Sequence, residues 1–341
     1  MLPCISMTCL LYSRNFYDMR SNDLKESDIR RAKDPKWYKR NDLTGMMMYV
    51  NAFAGTLSGL EKKLDYVQEC NVNYLHLMPL LESPKGRSDG GYAVADFRKV
   101  QEELGNMDDF AHLTSECHKR GISVCLDFVM NHTSEDHEWA KRARAGEREY
   151  QDRYFFFDSY DIPSLYEQTC PQVFPTTAPG NFTWLDDIHK HVMTTFYPYQ
   201  WDLNYHNPKV FNEMIGNILY LANMGVEVFR IDAVPYIWKE LGTNCRNLPQ
   251  VHRIVRMLRM ILEMVCPGVI LKGEVCYGAK RTSGLFWNRA RAGMPYVIRC
   301  LQYGESVGST GYKRHKNAEA SDGCDSQPSE ELLFCQLPSL S

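Results

Sequence analysis

Five short apolar runs, spaced by stretches with helical periodicity, constrain this chain more than any other feature. They cover residues 46–50, 73–78, 122–129, 225–234 and 269–274. Each is rich in β-branched, aromatic or long aliphatic side chains and reads as a buried strand. Between them, Leu60, Leu64, Tyr66 and Val67 after Ser58, and Phe110, Leu113 and Cys117 within 107–120, fall at helical spacing. Residues 208–224 and 248–265 read as further helices. Strand and helix in this rhythm argue a parallel sheet, because parallel neighbours need a crossover. Near-continuous apolar strands mean that both faces are covered. Polar groups recur just where strands end, at Asn51, at Asp127 with His132, and at Asp232. That bias favours an α/β chain of the (β/α)8 TIM-barrel type over an open doubly wound sheet. No Gly-x-Gly-x-x-Gly follows the first strand, which argues against a dinucleotide cofactor.

Two strand ends carry candidate chemistry. Arg230 and Asp232 are two apart, so on a strand they point the same way. A guanidinium holds a neighbouring carboxylate ionised and oriented, which suits a covalent nucleophile as well as a structural ion pair. Glu274 ends the next strand, and neighbouring parallel strands lie about 4.8 Å apart. Two carboxyls at such tips can sit about 5–5.5 Å apart, the spacing of a retaining glycosidase. A lone strand-end carboxylate paired with Lys272 is the alternative reading of Glu274.

The 341 residues carry a net charge of -3, with 44% hydrophobic and 24% charged residues. That balance gives no field favouring nucleic acid or an anionic membrane. No apolar run approaches the length of a membrane span. Twelve cysteines are scattered without a Cys-x-x-Cys pair, so the sequence shows no metal or redox signature and a reducing cytoplasm fits best. No cofactor or metal is expected, and the oligomeric state is not legible.

Asp127-Phe128-Val129-Met130-Asn131-His132, Phe229-Arg230-Ile231-Asp232 and Gly273-Glu274 resemble three conserved regions of the α-amylase family of retaining glycoside hydrolases and transglycosylases. Within it the chain most resembles the amylosucrase subgroup, through residues 74–80, 89–94, 131–140, 194–205 and 242–250. The resemblance implies a carbohydrate-active enzyme using sucrose, with an α-glucan or oligosaccharide substrate as the alternative. It makes Asp232 the nucleophile and Glu274 the general acid/base, with Arg230 orienting Asp232. Asp127, His132 and Tyr92 would line the glucosyl subsite, His132 donating to a hydroxyl and Tyr92 stacking on the ring. Asp89 would help close it, and Phe196 and Gln200 would be near the sugar.

The resemblance also divides the chain. A helical N-terminal segment spans 1–44, and the barrel spans 45–132 and 201–277. A small lobe, 133–200, is inserted after the third strand, because a structureless loop of that length is improbable. Residues 278–341 read as an atypical, disordered tail, within which 304–331 are rich in Gly, Ser, Lys, Glu and Asp. The family pattern requires a third carboxylate in a His-Asp pair after strand seven. His315 is followed by Lys316, and Asp322 and Asp325 follow no apolar strand. Three further βα units of roughly thirty residues do not fit after Val275. The expectation is an incomplete barrel of about five strands with exposed edges, impaired in activity or a non-catalytic remnant.

Overall fold

Six parallel strands form the central sheet in strict chain order: β1 (Gly45–Met48), β2 (Tyr74–Leu77), β3 (Ser123–Val129), β4 (Val228–Asp232), β5 (Ile270–Val275) and β6 (Tyr296–Arg299). The computed structural model describes residues 14–34, 36–275 and 296–299. The sheet thus has the five expected strands and one more. β6 falls within the residues assigned to the tail, and it pairs with β5, which sequence reading left as an edge. The rest of the tail lies outside the described residues.

Crossover helices cover the sheet as the periodicity predicts. α1 (Asn22–Lys33) precedes the barrel; α2 (Met107–Lys119) leads into β3, α3 (Pro208–Asn223) into β4 and α4 (Pro249–Val265) into β5. α2 starts with a reciprocal cap: Asn106 accepts from the Asp108 and Asp109 amides, and Asp109 accepts from the Asn106 amide. Phe110, Leu113 and Cys117 form its buried stripe. α4 begins with Pro249 at its first turn and buries Val251, Ile254, Val255, Leu258, Ile261, Leu262 and Val265. Seven such side chains, each contributing about 1.5–3 kcal/mol when fully buried, fix this helix on the sheet.

Two local expectations change. The helix starting at Ser58 is two short ones, Leu57–Glu61 and Leu64–Glu69, with Leu60, Leu64 and Val67 buried and Tyr66 turned to solvent. Asn51 does not end β1. The strand stops at Met48, and Asn51 is exposed within the short helix Val50–Ala54.

The period of two on β2–β5 stacks the inward face in layers. Tyr74, Cys125, Val228 and Ile270 form an apolar layer at the amino end, against which Trp37, Tyr38 and Leu43 pack. Two residues on lie His76, Asp127, Arg230 and Lys272, and two further on β4 and β5 lie Asp232 and Glu274. The amino end is fastened by α1. Arg20 pairs with Asp28 at 2.6 Å and donates to the Ala222 carbonyl, and Asp28 accepts the Gly268 amide.

The segment inserted after β3 has its own architecture. Phe156–Phe157, Lys190–Met193 and Phe182–Leu185 form a three-stranded antiparallel sheet flanked by the helices Glu138–Arg144 and Asp161–Glu167. The strand Gln200–Asp202 returns antiparallel to His132–Ser134. Among the described residues, no helix is long and apolar enough to cross a membrane.

Candidate active site

Arg230 is the hub of the site. Its Nη1 donates to Asp232 at 3.1 Å, to the Tyr92 hydroxyl at 3.3 Å and, more closely, to Asp127. Its Nη2 lies 3.1 Å from Glu274. β-Register accounts for this, since Arg230 stands directly between Asp127 on β3 and Lys272 on β5. A planar guanidinium has donors enough for several carboxylates at once. Glu274 also accepts the Ala233 amide at 3.2 Å. Ala233 has a φ of 50°, so β4 ends in a left-handed residue that aims its N–H at Glu274.

The electrostatics follow from burial and pairing. Burial would raise Asp127, but the His76 hydrogen bond at 2.9 Å and the charge of Arg230 outweigh it and hold that carboxyl below its ordinary value. Burial would lower His76, but Cys125 and Asp127 outweigh it and raise the imidazole to about 9. Asp232 is pushed well up, first by burial and then by Glu274, while Arg230 opposes. Asp232 and Glu274 are hydrogen-bonded to each other, so the pair titrates as a unit sharing one proton.

His132 is buried, and burial followed by the charge of Lys239 pushes it down to about 3. Its neutral ring has a defined tautomer. Nε2 lies 3.2 Å from the Tyr92 carbonyl, which only accepts, so Nε2 carries the hydrogen. Nδ1 is then the acceptor for the Asn131 amide at 3.2 Å. Phe196 stands over this imidazole at 5.3 Å between ring centres. Gln200 donates to Asp89 at 3.2 Å and accepts from the Tyr197 amide. Asp89 has a φ of 51°, in a turn where a Cβ on Gly91 would come within 2.8 Å of Pro79. That tight turn brings Asp89 and Tyr92 to the sheet. All nine residues nominated from sequence thus lie at the carboxyl end of the sheet, in two linked groups: the Arg230 cluster reaching His132 and Phe196 through Tyr92, and the Asp89–Gln200 pair.

Sequence reasoning missed two supporting groups. His76 stood in an apolar run, and its inward register was its one signal. The second group surrounds Lys239, whose side chain is fully buried. Its ammonium donates to Asn131 Oδ1 at 2.7 Å and to the Tyr236 carbonyl, and lies 3.3 Å from Asp202. Asn131 in turn donates to Asp202 at 2.9 Å, and Asp202 accepts from the Thr195 amide. One internal cation therefore joins the end of β3, the inserted segment and the loop after β4. Nothing in Tyr236-Ile237-Trp238-Lys239 marks that lysine as buried. Among the described residues, no group of three His, Cys, Asp or Glu side chains is placed to hold a metal ion.

The family described as alpha amylase, catalytic domain, matches residues 10–322. The chain belongs to the α-amylase family. It is 36% identical over 249 residues to the trehalose synthase/amylase TreS of Mycobacterium tuberculosis, covering 71% of this chain and 40% of that protein. It is 38% identical over 251 residues to the trehalose synthase of Pimelobacter sp., with coverages of 71% and 42%. Among solved structures it resembles the trehalulose synthase MutB of Pseudomonas mesoacidophila MX-45, at 26% identity and a TM-score of 0.61, covering 68% of this chain and 44% of that one. The chain thus spans about two fifths of the length of these curated relatives. The family is one of enzymes acting on α-glucosidic bonds, and the chain shares its (β/α)8-type fold. The amylosucrase likeness read from the sequence gives way to a likeness to trehalose synthases.

Proposed function

We propose that the chain carries the nucleophile and the acid/base of a retaining α-glucosyl transfer on an α-linked glucose disaccharide. The observation that supports this best is Arg230, which bridges Asp232 and Glu274 at the ends of neighbouring parallel strands. Asp232 attacks the anomeric carbon, and Glu274 passes the shared proton to the leaving oxygen. An acceptor hydroxyl then attacks the β-glucosyl ester and returns its proton to Glu274, which restores the α configuration. Asp127 accepts from a substrate hydroxyl, Tyr92 presents its ring, and Asp89, Gln200 and Phe196 close the rim; His132, expected to donate to a hydroxyl, has its Nε2–H engaged by the Tyr92 carbonyl and holds that turn in place instead. The described cysteines are all free, in keeping with a reducing, cytoplasmic setting.

The names of the trehalose synthases favour a particular acceptor. Trehalose joins two glucoses through both anomeric carbons, so transfer must reach the anomeric hydroxyl of a glucose held beside the ester. Maltose, trehalose and sucrose present the same glucosyl unit and differ in the leaving sugar. The test incubates the purified chain with each. Because the 341 residues hold no His-Asp pair of the family pattern, slow interconversion of maltose and trehalose is the expected result, and fructose released from sucrose alone would return the donor to sucrose. The covalent step is tested separately with a slow fluorinated glucosyl fluoride. A glucosyl ester on the peptide containing Asp232 is expected; an ester on another residue would sink the assignment. Asp232→Asn should keep disaccharide binding by calorimetry within a few-fold and lose turnover by roughly 10⁴-fold or more.

A further inference from the structure

Two cysteines that sequence spacing leaves unrelated meet where the inserted segment touches the loop after β4. Cys170 follows the helix Asp161–Glu167, and Cys245 lies between β4 and α4 with a φ of 51°. Both thiols reach Thr243 and both residues are buried, at 6% and 4% exposure. Cys170 Sγ also lies 3.5 Å from the Thr243 carbonyl, while Cys245 Sγ accepts the Glu240 amide at 3.4 Å and the Thr243 hydroxyl at 3.8 Å. The same junction is tied by Thr169 Oγ1 donating to the Thr243 carbonyl at 2.6 Å and by Arg246 donating to the Pro171 carbonyl at 2.6 Å. Both sulfurs line one small cavity with Asn181, Thr195 and Tyr236.

We propose that Cys170 and Cys245 form a dithiol site that a small disulfide oxidant closes to a protein disulfide. The donors around the two sulfurs set their roles. The Cys170 thiol, then the Glu240 amide, the Thr243 hydroxyl and the charge of Lys239, push Cys245 down to about 6 against its burial. The Cys245 thiol in turn pushes Cys170 up. Cys245 is the attacking thiolate and Cys170 the resolving thiol. Cys245 displaces one thiolate from an oxidant such as glutathione disulfide and forms a mixed disulfide. Cys170 loses its proton, attacks the Cys245 sulfur and releases the second glutathione thiol. The pair loses two protons and two electrons, which reduce the oxidant to two thiols. Both thiols are buried, but Glu240, Leu241 and Gly242 beside Cys245 are exposed, so the oxidant reaches Cys245 when this outer loop opens. The cross-link would fix the segment carrying Phe196 against the loop carrying Tyr236, whose rings lie 5.1 Å apart beside His132.

The test treats the 341-residue chain with glutathione disulfide, blocks free thiols and maps peptides by mass spectrometry. A Cys170–Cys245 peptide pair two hydrogens lighter is expected, lost again on reduction, with Tm several degrees higher in the oxidised protein. Cys170→Ser should stop at a glutathione adduct on Cys245. Recovery of both cysteines as free thiols, cross-links to other cysteines, or an unreactive Cys245 in Cys170→Ser would each overturn the proposal. The wild-type map decides the matter even where a variant fails to fold.

Discussion

Arg230 sets the chemistry of the site at the scale of a single residue. One guanidinium meets Asp127, Asp232, Glu274 and the Tyr92 hydroxyl, and no other side chain type presents so many planar donors. A lysine keeps the charge but cannot bridge two strands and a tyrosine at once. Arg230→Lys is therefore expected to lower turnover by roughly 10²-fold while disaccharide binding changes little. Steady-state kinetics beside calorimetry separates the two, and unchanged turnover would show that the bridge does not orient the pair. Asp232, Glu274 and Arg230 were legible in the sequence because strand-end position and a period of two are local properties. The tautomer of His132 was not legible, because Tyr92 and Asn131 set it from opposite sides of the ring.

Among elements, the junction around Lys239 has the largest energetic leverage. Its ammonium and the Asp202 carboxylate are both fully buried, so removing one leaves the other charged and desolvated. Lys239→Met should cost about 3–5 kcal/mol of stability. Adding Asp202→Asn should recover a large part, because the orphaned charge is gone. Urea unfolding of the two variants checks this, and a double variant no more stable than Lys239→Met would refute it. A smaller effect is expected at the start of α2. Asn106→Ala removes the acceptor for two helix amides and should cost about 1 kcal/mol, read as a lower urea midpoint with an unchanged slope.

For the whole molecule, buried histidines shape stability against pH. His132 is pushed down to about 3, and His137 likewise by its burial and by Arg153 and Lys141, from an ordinary 6.5. His137 Nδ1 accepts the Trp139 amide at the helix cap, which requires that nitrogen bare. Below 6.5 the unfolded chain binds protons that the folded chain refuses. The stability from these two sites is thus present above 6.5 and lost as the pH falls towards 3. His76 has the opposite sign. Raised from 6.5 to about 9, it contributes fully below 6.5 and progressively loses that contribution as the pH rises through 9. Urea midpoints across pH should peak near 6.5. His137→Asn should flatten the acid limb and His76→Gln the alkaline one; limbs unmoved by both variants would refute the assignment.

The sequence by itself determined the strand–helix order and the parallel sheet, and its strand ends singled out Arg230, Asp232 and Glu274, while the roles of the other six candidates came from the family resemblance. Burial of alternating side chains and the reach of a strand are set by the nearest few residues. It misplaced Asn51 for the same local reason, since Val50 continues the apolar run yet opens a helix. The tertiary structure alone decided which distant groups meet. Lys239 finds Asn131 and Asp202, His76 finds Asp127, and Cys170 finds Cys245 across separate elements. The Lys239 and cysteine contacts depend on how the inserted segment and the loop after β4 close over the sheet, and the His76–Asp127 contact on which strands become neighbours. No periodicity along the chain encodes that closure, because it is fixed by packing and by the need to pair every charge that burial strips of water.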